Sequence, residues 1–179
     1  KRCVSRYDGG GIQAIGAHIT VENTIFENNR AGIFGGGISV SKNSTLMLSD
    51  SEFRNNFAWL GGAMAMDRDS SAAAAASSFL DNTARAGGAF YVSVNPRPVI
   101  FSESTFSGNA ARFGAALFVE FAQVLIECTN VVRNKAALFG AIRVTGRSRF
   151  DALSSTISEN TFFSQPTGNP VLSSIAISS

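Results

Sequence analysis

A glycine recurs every 26 residues along most of this chain, and this spacing limits the possible folds more than any other feature. The positions are Gly10, Gly36, Gly62, Gly88, Gly114 and Gly140. In each copy an apolar residue then stands three positions before an asparagine, and these asparagines are Asn29, Asn56, Asn82, Asn109, Asn134 and Asn160. Repeats of about twenty to fifty residues are typical of solenoids, in which each repeat is one structural unit stacked on the next.

Three short segments of each repeat have the pattern of β-strands. Residues alternate in character after each glycine, as in Ile12-Gln13-Ala14, which is the period of a strand with two different faces. A second apolar run follows, as in residues 18–21, and a third surrounds the asparagine. No segment sustains a helical period with caps. The sequence therefore predicts an all-β, right-handed parallel β-helix with about six coils of 26 residues and three short strands per coil.

The repeats predict one β-helix segment over residues 1–179, with regular coils over residues 9–163. The next glycine is due at Gln165-Pro166 and is missing, so we interpret residues 164–179 as an irregular last coil or a cap. The chain starts at Lys1 without an initiator methionine, and we interpret it as a fragment of a longer protein. Further coils or other protein chains would then cover the unpaired strand edges at both ends.

The two repeated landmarks have structural interpretations. A glycine before the first strand suits a turn with positive φ or a close approach of two backbones, where a Cβ atom would clash. An inward asparagine at the end of the third strand can bond the turn backbone of its own coil and of the next coil. Asparagines in register would form a ladder of stacked amides. We therefore expect both sets of residues to be structural.

The paired Gly-Gly-Ala-Ile-like and Phe-x-x-Asn motifs resemble the repeats of the chlamydial polymorphic outer-membrane proteins, which also occur in large surface proteins of other organisms. The resemblance covers about residues 9–163. It implies a surface-displayed β-helix, because adhesion is attributed to these repeats in that family. The chain departs from the pattern where Phe113 and Phe139 stand in place of the first glycine of the pair.

Composition excludes several classes of function. Lys and Arg number 15 against 13 Asp and Glu, which argues against a nucleic-acid or membrane-surface protein, because such proteins need a clustered basic excess. The chain contains no apolar run long enough for a transmembrane helix. No Cys/His cluster suggests a metal site, and no phosphate-binding loop follows the glycines. We expect no metal and no cofactor.

Catalytic candidates are sparse. An acidic-glycan lyase or hydrolase on a β-helix needs carboxylates clustered on neighbouring coils with a Lys or Arg nearby. The best candidate is Asp67-Arg68-Asp69, but its predicted neighbours Ser41 and Ser93 supply no second carboxylate. Glu120 and Glu127 are predicted to lie on different faces without partners, and the single histidine, His18, has no nucleophile in its column. We therefore expect no catalytic residue, and we keep a glycan-binding or glycan-cleaving β-helix as the alternative.

Apolar residues at outward positions suggest an interface. The candidates are Phe34, Trp59, Leu60, Tyr91, Leu117, Leu138 and Phe139. If they point outward, they form an apolar stripe wider than a soluble monomer normally exposes, and this would favour lateral packing against a partner. In the other interpretation the rings of Phe34 and Trp59 fold over the turn and cover the glycine column. The sequence leaves both open.

The remaining features bear on the environment of the protein. Cys3 and Cys128 lie almost five coils apart and cannot bond each other. Asn43-Ser44-Thr45 is the single glycosylation sequon, in a predicted surface turn. Together these observations favour a non-catalytic structural or adhesive scaffold of a secreted or cell-surface protein, which mediates protein–protein assembly or attachment.

Overall fold

The computed structural model describes residues 3–163, 170–172 and 175–177, and every regular element within them is a β-strand. The first strands are β1 (Val4–Ser5), β2 (Ile12–Ile15), β3 (His18–Glu22), β4 (Ile25–Glu27) and β5 (Arg30–Ala31). The second coil contains β6 (Ile38–Ser41), β7 (Thr45–Ser49) and β8 (Glu52–Arg54), and the third contains β9 (Met64–Asp67), β10 (Ser71–Ala75), β11 (Ser78–Leu80) and β12 (Thr83–Ala86).

Later coils contain longer strands. The fourth coil has β13 (Phe90–Ser102), β14 (Thr105–Ser107) and β15 (Ala110–Phe113), and the fifth has β16 (Leu117–Glu127), β17 (Asn130–Val132) and β18 (Lys135–Leu138). The sixth has β19 (Ile142–Thr145), β20 (Arg149–Leu153), β21 (Thr156–Ser158) and β22 (Thr161–Phe163), and it is followed by β23 (Pro170–Leu172) and β24 (Ile175–Ile177).

Equivalent strands of successive coils pair in parallel and form four columns. The first column runs from β2 to β19 and the second from β3 to β20; β13 and β16 span both, so these two columns form one sheet. The third column runs from β4 to β21, and the fourth contains β5, β12, β15, β18 and β22. The predicted third strand is thus two strands, divided at the asparagine. At the end, β23 pairs antiparallel with β22, and β24 pairs parallel with β19.

Aromatic rings that stack along the axis occupy the interior. Phe26, Phe53, Phe79 and Phe106 stack almost parallel, with centroid distances of 4.6, 5.0 and 4.6 Å. Phe101 meets the last two of these rings edge-on. The third column places equivalent residues directly over one another, and burial of a Phe side chain stabilises the fold by about 1.5–3 kcal/mol. The core is therefore one continuous stack along the axis.

Side-chain amides connect the coils at the corner between the third and fourth columns, which we call the asparagine corner. The Oδ1 atom of each asparagine accepts the backbone N–H of the asparagine one coil earlier, at 2.9–3.0 Å from Asn56 to Asn160. The Nδ2 atom donates to a carbonyl of the preceding coil, as from Asn82 to Phe53 O at 2.9 Å. These groups are buried, and every turn of the corner is bonded to the next.

A second ladder, of hydroxyl groups, lies at the corner between the second and third columns. Its members are Ser51, Ser77, Ser104, Thr129 and Ser155, each of which accepts a backbone N–H from the preceding coil at 3.1–3.3 Å. Each hydroxyl also donates to the carbonyl two residues earlier. This ladder is not predictable from the sequence, because serine is common in turns of every kind.

The turn that precedes the first column, which we call the glycine turn, uses two adjacent glycines for two reasons. Gly9, Gly35, Gly61 and Gly87 have positive φ. The next residue in each pair approaches the following coil so closely that a Cβ on Gly62 would lie 2.1 Å from the carbonyl oxygen of Gly88. The carbonyl oxygen is backbone and cannot move aside cheaply.

The predicted glycine column is wrong in the fifth coil. Gly114 has positive φ and is equivalent to Gly87, not to Gly88, because Phe113 pairs with Ala86 and Leu117 with Phe90. Ala115 therefore replaces the second glycine in that coil, and Phe113 does not replace the first. In the sixth coil Phe139, with a φ of 62°, stands in place of the first glycine as predicted, and Gly140 is the second, because Leu138 pairs with Phe113 and Ile142 with Leu117. The reason is one additional residue between Gly87 and Gly114, which the regular spacing from Gly88 to Gly114 concealed.

Candidate functional site

A second apolar cluster lies outside the β-helix, in the angle between the first column and the residues that precede the glycine turns. This outer apolar corner consists of Phe34, Leu60, Ala65, Ala86, Tyr91, Phe113 and Phe118. One row comes from outward positions of the first column, where Ala65, Tyr91 and Phe118 are register partners. The other row comes from residues just before the turns, which also pair from coil to coil. The turns bring the two rows face to face.

The rings of this corner shield one another from water. Tyr91 stacks on Phe118 with centroids 5.4 Å apart, and Phe34 lies 6.2 Å from Tyr91. Tyr91 and Phe118 are only 8% and 9% exposed, although they point away from the interior. Phe34 thus packs across the outer face. Trp59 lies apart from the cluster, half-exposed beside Arg85.

Leu117 was predicted to point outward, and this is wrong. It is fully buried in the interior, paired with Phe90 and Ile142. The additional residue before Gly114 shifts the register of β16 by one. Because successive side chains of a strand point to opposite faces, this shift moves Leu117 inward and brings Phe118 to the outer corner in its place.

The seven candidate interface residues form more than one group. Phe34, Leu60 and Tyr91 lie in the outer apolar corner, while Leu138 pairs with Phe113 at its edge. Phe139 stacks on Phe113 at 6.0 Å and is 46% exposed. The corner therefore continues outward from buried rings to an accessible ring in the sixth coil.

A guanidinium group completes this accessible end. The Cζ atom of Arg143 lies 4.1 Å from the ring centroid of Phe139, 5.2 Å from that of Phe113 and 5.4 Å from that of Phe118. Burial lowers the pKa of Arg143, although the nearby Glu120 opposes this. Arg143 remains charged, and its position over three rings is a cation–π arrangement.

Glu120 has a partner that the sequence did not predict. Tyr91 donates from its hydroxyl to Glu120 Oε2 at 3.4 Å. Burial is the main cause that raises the pKa of Tyr91, and the carboxylates of Glu120 and Asp67 raise it further. The buried Tyr91 hydroxyl therefore lies between two carboxylates on the outer face of the first column.

A groove of about 230 Å³ lies on the same face, nearer the first coil. It is lined by Asp8, Gln13, Phe34, Lys42, Asp67 and Arg68, among others. Burial is the main cause that raises the pKa of Asp67; Asp8 raises it as well, and Arg68 and Lys42 oppose them. Asp8 Oδ1 and Asp67 Oδ1 are buried without a hydrogen-bond partner.

The expectation that no second carboxylate stands near Asp67 is therefore wrong. Asp8 comes from the segment before the first glycine turn, and the stacking of coils brings it to the groove. Asp8 precedes the first complete repeat, so the 26-residue spacing does not indicate that it lies near Asp67. The groove contains two carboxylates and two cations in a half-buried setting.

The other candidates lie apart from this face. His18 is exposed at the start of β3 and pairs with Thr45, and Glu127 is exposed at the end of β16. Asn43 is exposed in the turn after β6. Cys3 and Cys128 are both exposed free thiols.

No group of three or more His, Cys, Asp or Glu side chains within the described ranges could hold a metal ion. A helix of sufficient length and hydropathy to cross a membrane is likewise not found in that part of the chain.

Comparison with known proteins identifies the family. The sequence signature of the family described as right-handed beta helix region matches residues 2–162. The chain therefore belongs to the right-handed β-helix family, and this match agrees with the parallel columns of about 26 residues per coil. Searches of curated proteins and of solved structures both gave no match.

Proposed function

We propose that this chain is a non-catalytic structural scaffold of a secreted or cell-surface protein, and that it attaches to or assembles with other protein chains. The outer apolar corner is the observation that carries the proposal. Most outward positions of a solvent-exposed sheet are polar, whereas here two rows of apolar residues meet outside the core. Accessible aromatic rings with an adjacent Arg are enriched at protein interfaces.

The interior supports the same proposal. Stacked rings and two hydrogen-bonded ladders connect the coils, so each coil contacts its neighbours through the same groups. Such a solenoid holds surface residues at fixed spacing along its axis. The resemblance of the Gly-Gly-Ala-Ile-like and Phe-x-x-Asn repeats to those of the chlamydial polymorphic outer-membrane proteins favours an adhesive role at a cell surface.

Beads coated with the chain test this proposal. The measurement is clumping of the beads with one another and their attachment to surfaces coated with extracellular-matrix proteins. Phe139→Asn removes the accessible ring of the outer apolar corner, and Asn tolerates the positive φ of 62° at this position. We expect clumping or attachment by the wild-type chain and a marked loss in the variant.

Phe121→Asn is the matched control. Phe121 is also an exposed phenylalanine with positive φ, but it lies in the middle of β16, away from the corner. We expect this variant to behave as the wild type. Absence of clumping and attachment by the wild-type chain, or an equal loss in both variants, contradicts the proposal.

A specific observation favours a second candidate, which is cleavage of an acidic glycan in the groove. Asp8 and Asp67 place two carboxylates beside Lys42 and Arg68, and the raised pKa of Asp67 suits a group that donates a proton. Cations in the same groove could bind a uronic acid carboxylate.

Incubation with pectin, alginate and related acidic glycans tests this alternative, with new reducing ends or unsaturated products as the readout. The alternative predicts turnover that Asp67→Asn and Asp8→Asn abolish while the fold is retained. Asp69→Asn, in the neighbouring turn, is the control. No turnover on these glycans leaves the scaffold as the only proposal of the two.

A further inference from the structure

The fourth column presents cations on its outer side. Arg30 in β5, Arg85 in β12, Arg112 in β15 and Lys135 in β18 are all exposed. Parallel pairing of these strands, with Phe57 as the bridge between Arg30 and Thr83, stacks them along the axis. The four cations therefore lie on one face, although they are spread over more than a hundred residues of sequence.

No acidic residue neutralises this face. All 13 Asp and Glu residues of the chain lie among the described residues, and β5, β12, β15 and β18 contain none of them. None of the four cations takes part in an ion pair within the described ranges; the pairs present involve Arg54, Arg68, Arg133 and Arg149. A net charge of +2 for the whole chain therefore conceals a strongly positive face.

Aromatic rings hold three of the guanidinium groups. Arg30 lies over Phe57 at 4.4 Å from the ring centroid, Arg85 over Trp59 at 4.8 Å, and Arg112 over Phe113 at 5.2 Å. Stacking on a ring limits the rotamers of an arginine while its N–H groups stay available for an anion. We call the surface formed by Arg30, Phe57, Trp59, Arg85, Arg112 and Lys135 the basic–aromatic face.

We propose that the basic–aromatic face binds a linear anionic polysaccharide that runs along the axis of the β-helix. Four coil steps separate Arg30 from Lys135, which is about 19 Å at roughly 4.8 Å per step. A flat, narrow column with one cation or ring per coil matches an extended polymer with charges at regular intervals. Sulfate and carboxylate groups are planar or multidentate acceptors, which the arginine fork binds well.

The geometry favours a polysaccharide over a nucleic acid. Recognition of single strands relies on aromatic rings that are open for base stacking, whereas the rings of Phe57 and Trp59 are each covered by an arginine. Recognition of duplex grooves relies on a protruding helix or ribbon, and this face is the flat outer side of a sheet column. The basic–aromatic face would therefore bind a polymer mainly through its line of positive charges.

This inference goes beyond the proposed scaffold role. The face shares no residue with Phe139 or with the groove around Asp67, so failure of either proposal leaves the other standing. The near-balance of Lys and Arg with Asp and Glu along the sequence gives no sign of a clustered basic surface. The coil register produces one by gathering Arg30, Arg85, Arg112 and Lys135, although Lys and Arg exceed Asp and Glu by only two.

Heparin serves as the probe, with binding to the full chain measured by calorimetry at several salt concentrations. Two non-overlapping double variants test the face: R85Q/R112Q and R30Q/K135Q. We expect each to weaken binding about tenfold and to lower the slope of log K against log salt by about two, because each lost ionic contact lowers it by about one. Thermal unfolding of each variant checks that it is folded.

R97Q/R147Q is the charge-matched control, because it removes two exposed arginines from the turns between the first and second columns, outside the face and outside the groove around Asp67. We expect heparin affinity close to that of the wild type. Neutral dextran should not bind, and a DNA duplex and a DNA single strand should bind more weakly than heparin. Absence of heparin binding, an equal loss in the control, or tighter binding to DNA overturns the proposal.

Discussion

The asparagine corner and the glycine turn both recur in every coil, but they join the coils in opposite ways. The asparagine corner adds a side chain that fills the turn and bonds the backbone of the preceding coil, as Asn82 does. The glycine turn removes side chains so that two backbones can approach, as at Gly62. Hydrogen bonds from side chains connect the coils at the asparagine corner. At the glycine turn, the coils approach closely because no side chain separates the two backbones.

The difference is clearest where the coil length changes. Successive asparagines are 25 to 27 residues apart, yet the ladder bonds stay at 2.9–3.0 Å. In the glycine turn, alanine replaces the second glycine in the fifth coil, and the Ala115 N to Gly140 O distance increases to 3.4 Å from 3.1–3.2 Å in earlier coils. Neither corner contains the change of coil length. It lies in the turn between the first and second columns, where the register of β13 shifts between Asn95 and Pro98.

Gly62→Ala is expected to have the largest effect on stability. A Cβ atom at this position lies 2.1 Å from Gly88 O and 2.7 Å from Thr83 O, both of them backbone atoms. Whole coils must separate to relieve the overlap, so we expect a loss of about 3 kcal/mol or more in the free energy of unfolding. Urea denaturation measures this loss.

Gly16→Ala is the control for backbone conformation alone. Gly16 has a φ of 59°, but the nearest atom to its Cβ position is 3.6 Å away. We expect a cost of about 1–2 kcal/mol, from positive φ only. Equal losses for the two variants would show that close approach plays no part in the glycine turn.

Asn82→Ala tests the asparagine corner. The substitution removes the acceptor of the buried Asn56 N–H and the donor to Phe53 O. Leaving a buried polar group unsatisfied costs about 1–3 kcal/mol, and we expect a loss in this range by urea denaturation.

Asn29→Ala should cost less, because this end of the ladder accepts only the N–H of Cys3, at 3.1 Å in a partly buried setting. A loss as large as that of Asn82→Ala would contradict the role of the inner rungs.

Ala115→Gly tests the glycine turn by the reverse substitution. The variant restores the second glycine in coil five, where the backbone has already separated. We expect a loss of about 1 kcal/mol from chain entropy and one buried methyl group. A gain in thermal stability would instead indicate that Ala115 crowds the sixth coil.

Asp67→Asn is expected to have the smallest effect, and it depends on pH. Burial raises the pKa of Asp67, so the folded state binds a proton more tightly than the unfolded state and loses stability as pH rises above 3.8. The variant should therefore be more stable than the wild type at neutral pH, and the gain should vanish below that value. Asn82→Ala, in a ladder without titratable groups, should show a loss that is constant with pH.

Denaturant midpoints of both variants from acid to neutral pH provide the measurement. A gain for Asp67→Asn that is the same at all pH values, or a loss at neutral pH, would show that Asp67 is not held in an unfavourable setting beside Asp8.

The sequence predicted the columns well, because each landmark has one dominant physical role. The Phe-x-x-Asn motif combines an inward apolar side chain and an inward amide, and both recur in every coil. The fourth column was not predicted, because strands of two to four residues, such as β5 and β12, are too short for alternation of polar and apolar residues to identify them. The one-residue shift at Leu117 was concealed, because Gly88 and Gly114 are 26 residues apart although they are not equivalent.

The surface was harder to predict than the core. Asp8 belongs to no complete repeat, so only the stacked structure places it beside Asp67. Likewise, the charges of Arg30, Arg85 and Arg112 average out along the sequence, and the coil register gathers them. Surface sites formed by residues of different coils can be predicted only when the register of the coils is known. A single additional residue is enough to change that register.

The asparagine ladder gives the molecule an electrical direction. From Asn56 to Asn134 each amide oxygen accepts from the preceding coil and each Nδ2 group donates to the amide oxygen of the next coil, so every rung repeats the orientation of the last. Aligned amide dipoles add along a line, as they do in an α-helix, and neighbouring bonds polarise one another. A protein whose described residues include no helix thereby acquires an axial dipole, made from side chains and perpendicular to its strands.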